Sequence, residues 1–279
     1  MADYLLIGHP LGHSMSPFIH KRLFAAAGRQ EDYILKDIAP EDLEASFEEL
    51  SGLKGFNITI PHKLAIIPFC DRLDDSAKRY NSVNCVSLRE GEKVGYNTDC
   101  DGFILSVKED YPLDGKVLLA GLGGVGRMIA TELLRHGADL TVGIIPQDRQ
   151  MAEALVAELS EKYGREIKLE IISEIRGGFD MFVNATPVGM YPKTGGCPVS
   201  DEIIKSTDSF FDVIYNPTDT LLIKKAKSQG KLAKGGAYML VQQAVKAHEI
   251  WYGAKFSKET VDGIVNEMQE YINREFKGI

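Results

Sequence analysis

Short apolar runs alternate with longer amphipathic stretches along most of the chain. Short apolar runs are typical of strands buried in a parallel sheet, and apolar residues at helical spacing are typical of helices that pack on such a sheet. Strands are predicted at residues 3–7, 32–37, 55–60, 82–88, 94–96, 116–120, 138–145, 168–172, 180–184 and 210–214. Helices are predicted at residues 18–27, 42–50, 74–80, 127–136, 149–162, 220–229, 239–251 and 258–276. This alternation predicts an α/β fold with largely parallel sheets.

A glycine-rich turn follows the apolar run K-V-L-L-A near the middle of the chain. Its letters G-L-G-G-V-G fit the dinucleotide-binding pattern G-x-G-x-x-G, and the amphipathic stretch R-M-I-A-T-E-L-L-R-H comes next. In this pattern Gly121 permits the tight turn, Gly123 lets the backbone approach a pyrophosphate, and Gly126 lets helix and strand pack closely. Strand, glycines and helix in this order predict a nucleotide site at Gly121, Gly123, Gly124, Val125 and Gly126.

The position of this turn predicts the domain organisation. The 115 residues that precede Lys116 must form something other than an N-terminal nucleotide-binding domain. We expect an α/β substrate-binding domain with a mostly parallel sheet at residues 1–101, and a Rossmann dinucleotide-binding domain at residues 102–236. Residues 237–279 are expected to return as helices that complete the first domain. The active site is expected in the cleft between the two domains, which would close to exclude water.

Two serines lie in the loop after the first predicted strand, in the stretch G-H-P-L-G-H-S-M-S-P. Small ligands bind beyond the carboxyl ends of the strands in open α/β sheets, which makes Ser14 and Ser16 candidate ligand-binding residues. The pattern also places Ser16 as a helix N-cap, with Pro17 as the first helical residue. Capping and a turn by themselves explain both serines, and the loop alone favours that interpretation over ligand binding.

Further polar residues gather near the ends of the next strands. Asn57 and Thr59 alternate with apolar residues and therefore share one face of their strand, which runs into Lys63. Asn84 lies on the strand at residues 82–88, and Asp99 lies where a strand gives way to a helix. These residues are candidates for a polar site, although a lysine after a proline is more often a solvated loop cation.

Composition and charge narrow the class of protein. The chain has 279 residues, a hydrophobic share of 44%, a charged share of 26% and a net charge of −8. No block of Lys or Arg stands out, which argues against nucleic acid or an anionic membrane as a partner. The N-terminus lacks the basic region of a signal peptide, and no apolar stretch approaches the ~20 residues of a membrane span. We expect a cytoplasmic protein.

The four cysteines argue against a metal site. They are Cys70, Cys85, Cys100 and Cys197, and no two of them have C-x-x-C spacing. No paired histidines accompany them, so the sequence predicts no zinc and no other metal. We expect reduced thiols, as in other cytoplasmic proteins.

Eight short motifs follow one another in the order typical of one enzyme family. They are G-H-P-L-G-H-S-M-S-P-F-I-H, G-F-N-I-T-I-P-H-K, S-V-N-C, G-Y-N-T-D-C-D-G-F, G-L-G-G-V-G, N-A-T-P-V-G-M, D-V-I-Y-N-P and M-L-V-Q-Q-A. On these motifs the chain resembles the shikimate dehydrogenase family over nearly its whole length. The resemblance implies an oxidoreductase of aromatic amino acid (chorismate) biosynthesis. Its reaction would be the reversible oxidation of shikimate to 3-dehydroshikimate, with hydride passing to a nicotinamide.

The resemblance also implies roles for individual residues. Lys63 and Asp99 would be the catalytic pair. The substrate carboxylate would bind Ser14, Ser16 and Tyr215. The ring hydroxyls would bind Thr59, Asn84, Asp99 and Gln243, with Asn57 nearby. The nucleotide would contact Asp148, Arg149, Thr186, Pro187, Gly236 and Met239 in addition to the glycine-rich turn.

The cofactor is the point where this chain departs most from the family pattern. The family usually ends its second Rossmann strand with N-R-T, whose arginine binds the 2′-phosphate of NADP, whereas this chain has I-I-P-Q-D-R-Q. Arg149 could bind a 2′-phosphate, and Asp148 could bind the ribose of NAD. The habit of the family favours NADP, and NAD stays open. Lesser departures are Leu122 for an alanine, Tyr238 for a glycine and Lys21 for an asparagine.

Two alternatives to shikimate dehydrogenase remain. A quinate dehydrogenase, or an enzyme with both activities, would share the fold, although two serines at the carboxylate end favour shikimate. A nucleotide-binding sensor without catalysis would also share the fold, but the presence of Lys63 and Asp99 argues against it. We expect a small-molecule substrate and a monomer or homodimer.

Overall fold

The protein is described here by a computed structural model that covers residues 3–12, 14–89 and 91–276. His13, which belongs to the first of the eight motifs, lies outside the described residues. The chain divides into two compact units. The first unit comprises the described residues up to Gly102 together with Leu240–Met268. The second comprises Phe103–Met239 and the described residues from Gln269 onwards.

The first unit is built on a six-stranded sheet. Its strands are β1 (Tyr4–Gly8), β2 (Tyr33–Asp37), β3 (Gly55–Ile58), β4 (Arg72–Leu73), β5 (Cys85–Arg89) and β6 (Glu92–Tyr96). Its helices are α1 (Ser16–Ala26), α2 (Leu43–Leu50), α3 (His62–Ala65) and α4 (Asp75–Tyr80), and α5 (Asp99–Val107) begins in it. The strand order is β2-β1-β3-β5-β6-β4, and β5 runs opposite to the other five.

Both faces of this sheet are buried. One face packs against α2 through a cluster that includes Leu5, Leu50 and Phe56. The other face packs against α1 and against α10 (Ala237–Tyr252), whose Trp251 indole donates a hydrogen bond to the Val86 carbonyl at 3.0 Å. The last helix is α11 (Lys258–Glu275). The prediction of a mostly parallel sheet completed by C-terminal helices is therefore confirmed.

The second unit contains a six-stranded, entirely parallel sheet. Its strands are β7 (Lys116–Ala120), β8 (Asp139–Ile144), β9 (Lys168–Ile171), β10 (Met181–Asn184), β11 (Ser209–Asp212) and β12 (Leu232–Lys234). Its helices are α6 (Gly124–His136), α7 (Arg149–Tyr163), α8 (Asp201–Ser206) and α9 (Leu221–Ser228). The order β12-β11-β10-β7-β8-β9 is that of a dinucleotide-binding fold, whose ligand lies where the order reverses, between β7 and β10.

The structure corrects several predicted boundaries. The first helix begins at Ser16 and not after it, and Met15 takes the N-cap position. The hydroxyl of Ser14 explains the shift, because it accepts a hydrogen bond from the Ser16 backbone N–H at 3.2 Å. The segments β4, α3, α8 and β12 were not predicted, since two to six residues are too few to show a periodic pattern. Lys63, predicted to follow a strand, lies on α3. Among the described residues, no helix is both long enough and apolar enough to span a membrane.

Candidate active site

The loop that carries Ser14 and Ser16, called the serine loop, follows β1 in the first unit. The hydroxyl oxygens of Ser14 and Ser16 lie 3.2 Å apart, and Ser16 is buried. Asp37 at the end of β2 holds the start of the loop, because its carboxylate accepts from the Leu11 backbone N–H at 2.6 Å and pairs with His9 at 2.7 Å. The His9 and Leu11 contacts lower the pKa of Asp37, so this carboxylate stays charged. The two serine hydroxyls are thus presented together on an anchored loop.

Close approach of two strand ends brings the next polar residues beside this loop. A side chain at Gly8 would place its Cβ 2.4 Å from Cγ2 of Thr59, so it would have to displace the Thr59 side chain. Thr59 donates its backbone N–H to the Ile7 carbonyl at 2.9 Å and so stays in register with β1. Parallel strands therefore carry Thr59 to the same sheet edge as the serine loop.

Asn57 is buried on β3 and is held by two hydrogen bonds. Its Oδ1 accepts from the Tyr33 hydroxyl at 2.9 Å, and its Nδ2 donates to the Asn84 carbonyl at 3.2 Å. The Tyr33 ring stacks on His20 with 3.9 Å between ring centroids. These contacts fix the orientation of the Asn57 amide. Sequence reasoning missed Tyr33, since a tyrosine on a strand is usually only part of the core.

Lys63 and Asp99 form an ion pair, with Lys63 Nζ 2.6 Å from Asp99 Oδ2. The side chains are 25% and 18% exposed, so the pair is accessible but largely enclosed. The other carboxylate oxygen, Oδ1, accepts a hydrogen bond from Asn84 Nδ2 at 2.8 Å. Asp99 is the first residue of α5, and its backbone N–H donates to Asn97 Oδ1 at 3.1 Å. Both ends of the Asp99 carboxylate are thus held, which fixes the ammonium group beside it.

Gln243 is placed differently from these residues. It lies on α10, is 8% exposed and donates its Nε2 to the Leu240 carbonyl of its own helix at 2.9 Å. The other predicted substrate residues of this unit are linked through the Asn57, Asn84 and Asp99 contacts or lie on the adjoining strand ends. No hydrogen bond in the described part of the chain ties Gln243 to that group.

The glycine-rich turn of the second unit has the geometry that its pattern predicts. Gly121 has a φ of +88°, which favours glycine, and a Cβ there would lie 2.8 Å from Cγ2 of Thr186. A Cβ at Gly126 would lie 2.2 Å from the Gly121 carbonyl oxygen, so α6 can pack against the turn only with glycine there. Gly123 and Gly124 are exposed at the start of α6, with open space where side chains would stand.

This open helix N-terminus fits the pyrophosphate of a dinucleotide. The first backbone N–H groups of a helix have no partner within it, and the helix dipole favours an anion there. Val125 is half-buried between the two open glycines and the tightly packed Gly126. The residues present therefore fit the predicted nucleotide.

Asp148 and Arg149 follow β8, and both are exposed. Arg149 begins α7 and lies 3.5 Å from Glu153, one turn along its own helix. Arg127 on α6 pairs with Glu158 of α7 at 2.6 Å. Both Asp148 and Arg149 are therefore open to a ligand at the end of the second Rossmann strand.

The loop after β10 and the segment between β12 and α10 carry further predicted nucleotide residues. Thr186 is half-buried with its hydroxyl bonded to Asn184 Oδ1 at 2.7 Å, whereas Pro187 is exposed. Gly236 donates its backbone N–H to the Ile214 carbonyl at 2.9 Å, and a Cβ there would lie 2.1 Å from the Val213 carbonyl oxygen. Glycine is therefore required where this segment meets the loop after β11.

The remaining predicted residues lie at the ends of these segments. Tyr215 is half-buried, and burial raises the pKa of its hydroxyl, which keeps it a hydrogen-bond donor at neutral pH. Met239 is 8% exposed in the first turn of α10.

Sequence reasoning missed one residue of this region, Asp212. It is fully buried at the end of β11, and burial raises its pKa to about 6. The available signal was its place as the first residue of D-V-I-Y-N-P, an acidic residue at the end of an apolar strand.

A metal site finds no support among the described side chains. Within residues 3–12, 14–89 and 91–276, no three His, Cys, Asp or Glu residues are grouped so as to hold a metal ion. All four cysteines are free thiols.

Most of the chain can be matched to known proteins. Residues 6–86 match the model of the shikimate dehydrogenase substrate-binding domain. The shikimate dehydrogenase (NADP(+)) of Caldanaerobacter subterraneus subsp. tengcongensis is 37% identical over 262 residues, which cover 92% of this chain and 93% of the relative.

Solved structures give the same result in three dimensions. The Thermus thermophilus shikimate 5-dehydrogenase in complex with NADP(H) and shikimate has a TM-score of 0.82 at 28% identity, over 96% of this chain and 99% of that one. The Listeria monocytogenes shikimate 5-dehydrogenase in complex with shikimate and NAD has a TM-score of 0.83 at 26% identity, over 96% of both chains.

One similar structure has a different activity. The 5-ketofructose reductase of a Gluconobacter strain has a TM-score of 0.79 at 28% identity, over 95% of this chain and 98% of that one. Fold similarity alone therefore leaves the substrate open, and the sequence relatives carry the assignment. By its 37% identity to the Caldanaerobacter relative and by the substrate-domain match, the chain belongs to the shikimate dehydrogenase family.

Proposed function

We propose that this protein catalyses the reversible interconversion of shikimate and 3-dehydroshikimate with a nicotinamide nucleotide, NADP being preferred to NAD. The observation that carries the proposal is the Lys63–Asp99 pair, held 2.6 Å apart among residues that suit a small polyhydroxylated acid. We further propose a cytoplasmic enzyme that is a monomer or a homodimer.

Lys63 is the proposed proton-transfer group. Reduction of the 3-dehydroshikimate ketone leaves an alkoxide oxygen that needs a proton, which the Lys63 ammonium can donate. Oxidation of shikimate reverses the step, and Lys63 Nζ takes the hydroxyl proton. A positioned acid or base of this kind contributes roughly 10²–10⁴ in rate. When bound, the nicotinamide nucleotide supplies or accepts the hydride.

Asp99 is proposed to orient Lys63 and to bind a ring hydroxyl. Its Oδ2 holds the ammonium group, and its Oδ1 is held by Asn84. A fixed pair loses little entropy when the substrate arrives, which favours reaction. Thr59, Asn57, Asn84 and Gln243 complete the proposed hydroxyl-binding group.

The carboxylate of the substrate is assigned to hydroxyl donors. Ser14 and Ser16 present adjacent hydroxyls on the anchored loop, and Tyr215 is the proposed third donor. A site built to bind hydroxyl groups discriminates sharply against analogues that lack one, because its own polar groups would then be left unpaired.

The nucleotide is assigned to the second unit. Backbone N–H groups at the start of α6 would hold the pyrophosphate, with Thr186, Pro187, Gly236 and Met239 toward the nicotinamide. Arg149 would hold a 2′-phosphate, which supports NADP, as does the NADP(+) in the name of the relative. Because the Listeria monocytogenes enzyme forms a complex with NAD, the experiment also tests NAD⁺.

The test is a four-way assay of the full chain. Shikimate and quinate are each supplied with NADP⁺ and with NAD⁺, and formation of reduced nicotinamide is followed by absorbance. We expect turnover of shikimate, faster with NADP⁺. Faster turnover of quinate would transfer the proposal to quinate dehydrogenase. No turnover in any arm, with nucleotide binding intact, would favour a sensor or an enzyme of another ketone, such as the 5-ketofructose of the similar reductase.

A further inference from the structure

The buried carboxylate of Asp212 joins three segments of the second unit. Its Oδ1 accepts hydrogen bonds from Asn184 Nδ2 and from the Ile214 backbone N–H, both at 3.0 Å. Its Oδ2 accepts from the Thr220 hydroxyl at 2.7 Å, next to the start of α9. The carboxylate has no solvent exposure, and a buried acceptor without donors is costly. Its three donors therefore have to stay in place, which ties their segments together.

The first of these segments is the loop after β10. Asn184 is fully buried, and each of its amide atoms makes two hydrogen bonds. Nδ2 donates to Asp212 and to the Val188 carbonyl, and Oδ1 accepts from the backbone and the hydroxyl of Thr186. An asparagine amide has two donor hydrogens and two acceptor sites, so its bonding capacity is used. Asp212 therefore fixes the loop that carries Thr186 through Asn184.

The second segment is the loop after β11, which carries Tyr215. Asp212 holds it through the Ile214 N–H. The Ile214 carbonyl in turn accepts from Gly236, whose position allows no side chain because of the Val213 backbone. One carboxylate thus supports the segments of Thr186, Tyr215 and Gly236.

We propose that Asp212 is a positioning residue for the nicotinamide end of the nucleotide site, acting through Asn184 and through the loop after β11. The proposal rests on the proposed function, since it takes Thr186, Pro187 and Gly236 as nucleotide contacts. Asp212 itself touches no ligand in this scheme. Only the ionised carboxylate accepts all three hydrogen bonds. Because these bonds hold the loops of the proposed nucleotide contacts, ionised Asp212 favours nucleotide binding.

The protonation of Asp212 gives this role a measurable signature. Burial raises its pKa to about 6, and the bonds from Thr220, Ile214 and Asn184 oppose that rise. Burial and Asp212 both raise the pKa of the Cys197 thiol, so Cys197 is neutral near pH 6. Protonated Asp212 loses its charge-assisted bonds, so nucleotide affinity should fall as the pH falls through about 6.

The experiment measures the dissociation constant of NAD⁺ by calorimetry between about pH 5 and pH 8, on either side of the Asp212 titration. NAD⁺ is the primary probe because the 2′-phosphate of NADP⁺ titrates near pH ~6 itself. For the wild type we expect affinity about 5-fold weaker at the acidic end. NADP⁺ is measured in parallel, and circular dichroism at each pH verifies folding.

Threonine variants test the assignment without altering the carboxylate. Thr220→Val removes a hydrogen bond that lowers the pKa of Asp212, so the midpoint should move to higher pH. Thr220→Ser keeps the hydroxyl and should keep the wild-type midpoint. Thr207→Val is the matched control, because Thr207 is also fully buried in this unit and its hydroxyl has no hydrogen-bond partner among the described residues.

The outcomes separate this inference from the proposed function. A midpoint that rises in Thr220→Val alone supports the role of Asp212. NAD⁺ affinity that is constant with pH in the wild type, or a Thr220→Val midpoint equal to that of Thr207→Val, overturns it while leaving the enzyme activity in place. Failure of both nucleotides to bind at any pH, with no shikimate turnover, overturns the proposed function and this inference together.

Discussion

The proposed catalytic site of the first unit is built from side chains, whereas the proposed nucleotide site of the second unit is built mainly from backbone. In the first unit, Lys63, Asp99 and Asn84 hold one another by side-chain hydrogen bonds. In the second, Gly121 and Gly126 act through the side chains that they lack, because a Cβ at either position would collide with a neighbour. The first arrangement provides reactive side chains, and the second provides a backbone surface that a nucleotide can fit.

This difference predicts how each site responds to substitution. A side chain that only carries chemistry can be shortened with the fold kept, so its loss should appear in kcat. A glycine required by close packing cannot accept even a methyl group without movement of backbone, so its loss should appear in stability and nucleotide affinity together. Asp212 is an exception in the second unit, a side chain that supports backbone.

The largest expected effect is that of Lys63→Met on turnover. We expect kcat for shikimate to fall by roughly 10²–10⁴, since the proton-transfer group is lost and the apolar stem is kept. Lys93→Met is the matched control, because Lys93 is 27% exposed and pairs with Asp71 at 3.1 Å in the same unit. It should keep kcat within about twofold, since Lys93 is enclosed to a similar degree as Lys63 but is not one of the proposed catalytic residues. Near-normal turnover of a folded Lys63→Met enzyme would falsify the proposed role.

Asp99→Asn should have a smaller effect, about 10- to 100-fold in kcat, because Lys63 remains but is no longer held by a charge. The two residues act as a unit, so the double variant should be little worse than Lys63→Met alone. Steady-state rates of the four enzymes in this cycle measure the coupling. Additive losses would mean that Lys63 and Asp99 act separately.

The sequence predicted the geometry of the proposed nucleotide site in more detail than that of the proposed catalytic site. The spacing of Gly121, Gly123 and Gly126 specifies both the turn and the helix that follows, because few other residues satisfy that geometry. The strand positions also followed from local apolar runs. Short elements such as β4 and β12 could not be predicted, because pairing with neighbouring strands defines them, and not a local pattern.

The proposed catalytic site depends on contacts between residues that are far apart in the sequence, which no local pattern contains. Lys63 and Asp99 lie 36 residues apart, and only the fold brings their charged atoms together. The family resemblance suggests the pair, but the support from Asn84 and the Tyr33–Asn57 bond depend on the three-dimensional fold. Asp212 was overlooked for the same reason, since its partners Asn184 and Thr220 come from other segments.

Gly126→Ala should destabilise the protein by about 1–3 kcal/mol and weaken nucleotide binding at the same time. Its Cβ would lie 2.2 Å from the Gly121 carbonyl oxygen, so α6 or the turn must move. Gly263→Ala in α11 is the control, because in the described part of the chain only the neighbouring backbone of its own helix lies within 4 Å of its added Cβ. That substitution should stabilise the protein by about 0.5–1 kcal/mol through helix propensity. Urea unfolding and calorimetric titration with NADP⁺ measure both effects, and equal stability of the two variants would contradict the close-packing argument.

Arg149→Ala should have the smallest effect and should sharpen the contrast between shape and chemistry within the second unit. Loss of an exposed charge-assisted contact to a 2′-phosphate corresponds to roughly 5- to 10-fold weaker NADP⁺ affinity. NAD⁺ has no such phosphate and should be unaffected, because the glycine-rich turn that holds the pyrophosphate is unchanged. Asp148→Ala is the counterpart, since it should weaken NAD⁺ and leave NADP⁺ unaffected or slightly improved. Calorimetric titration of both nucleotides against both variants therefore reports which side chain selects the cofactor. Equal losses for the two nucleotides in Arg149→Ala would mean that Arg149 supports the loop after β8 and does not recognise the phosphate.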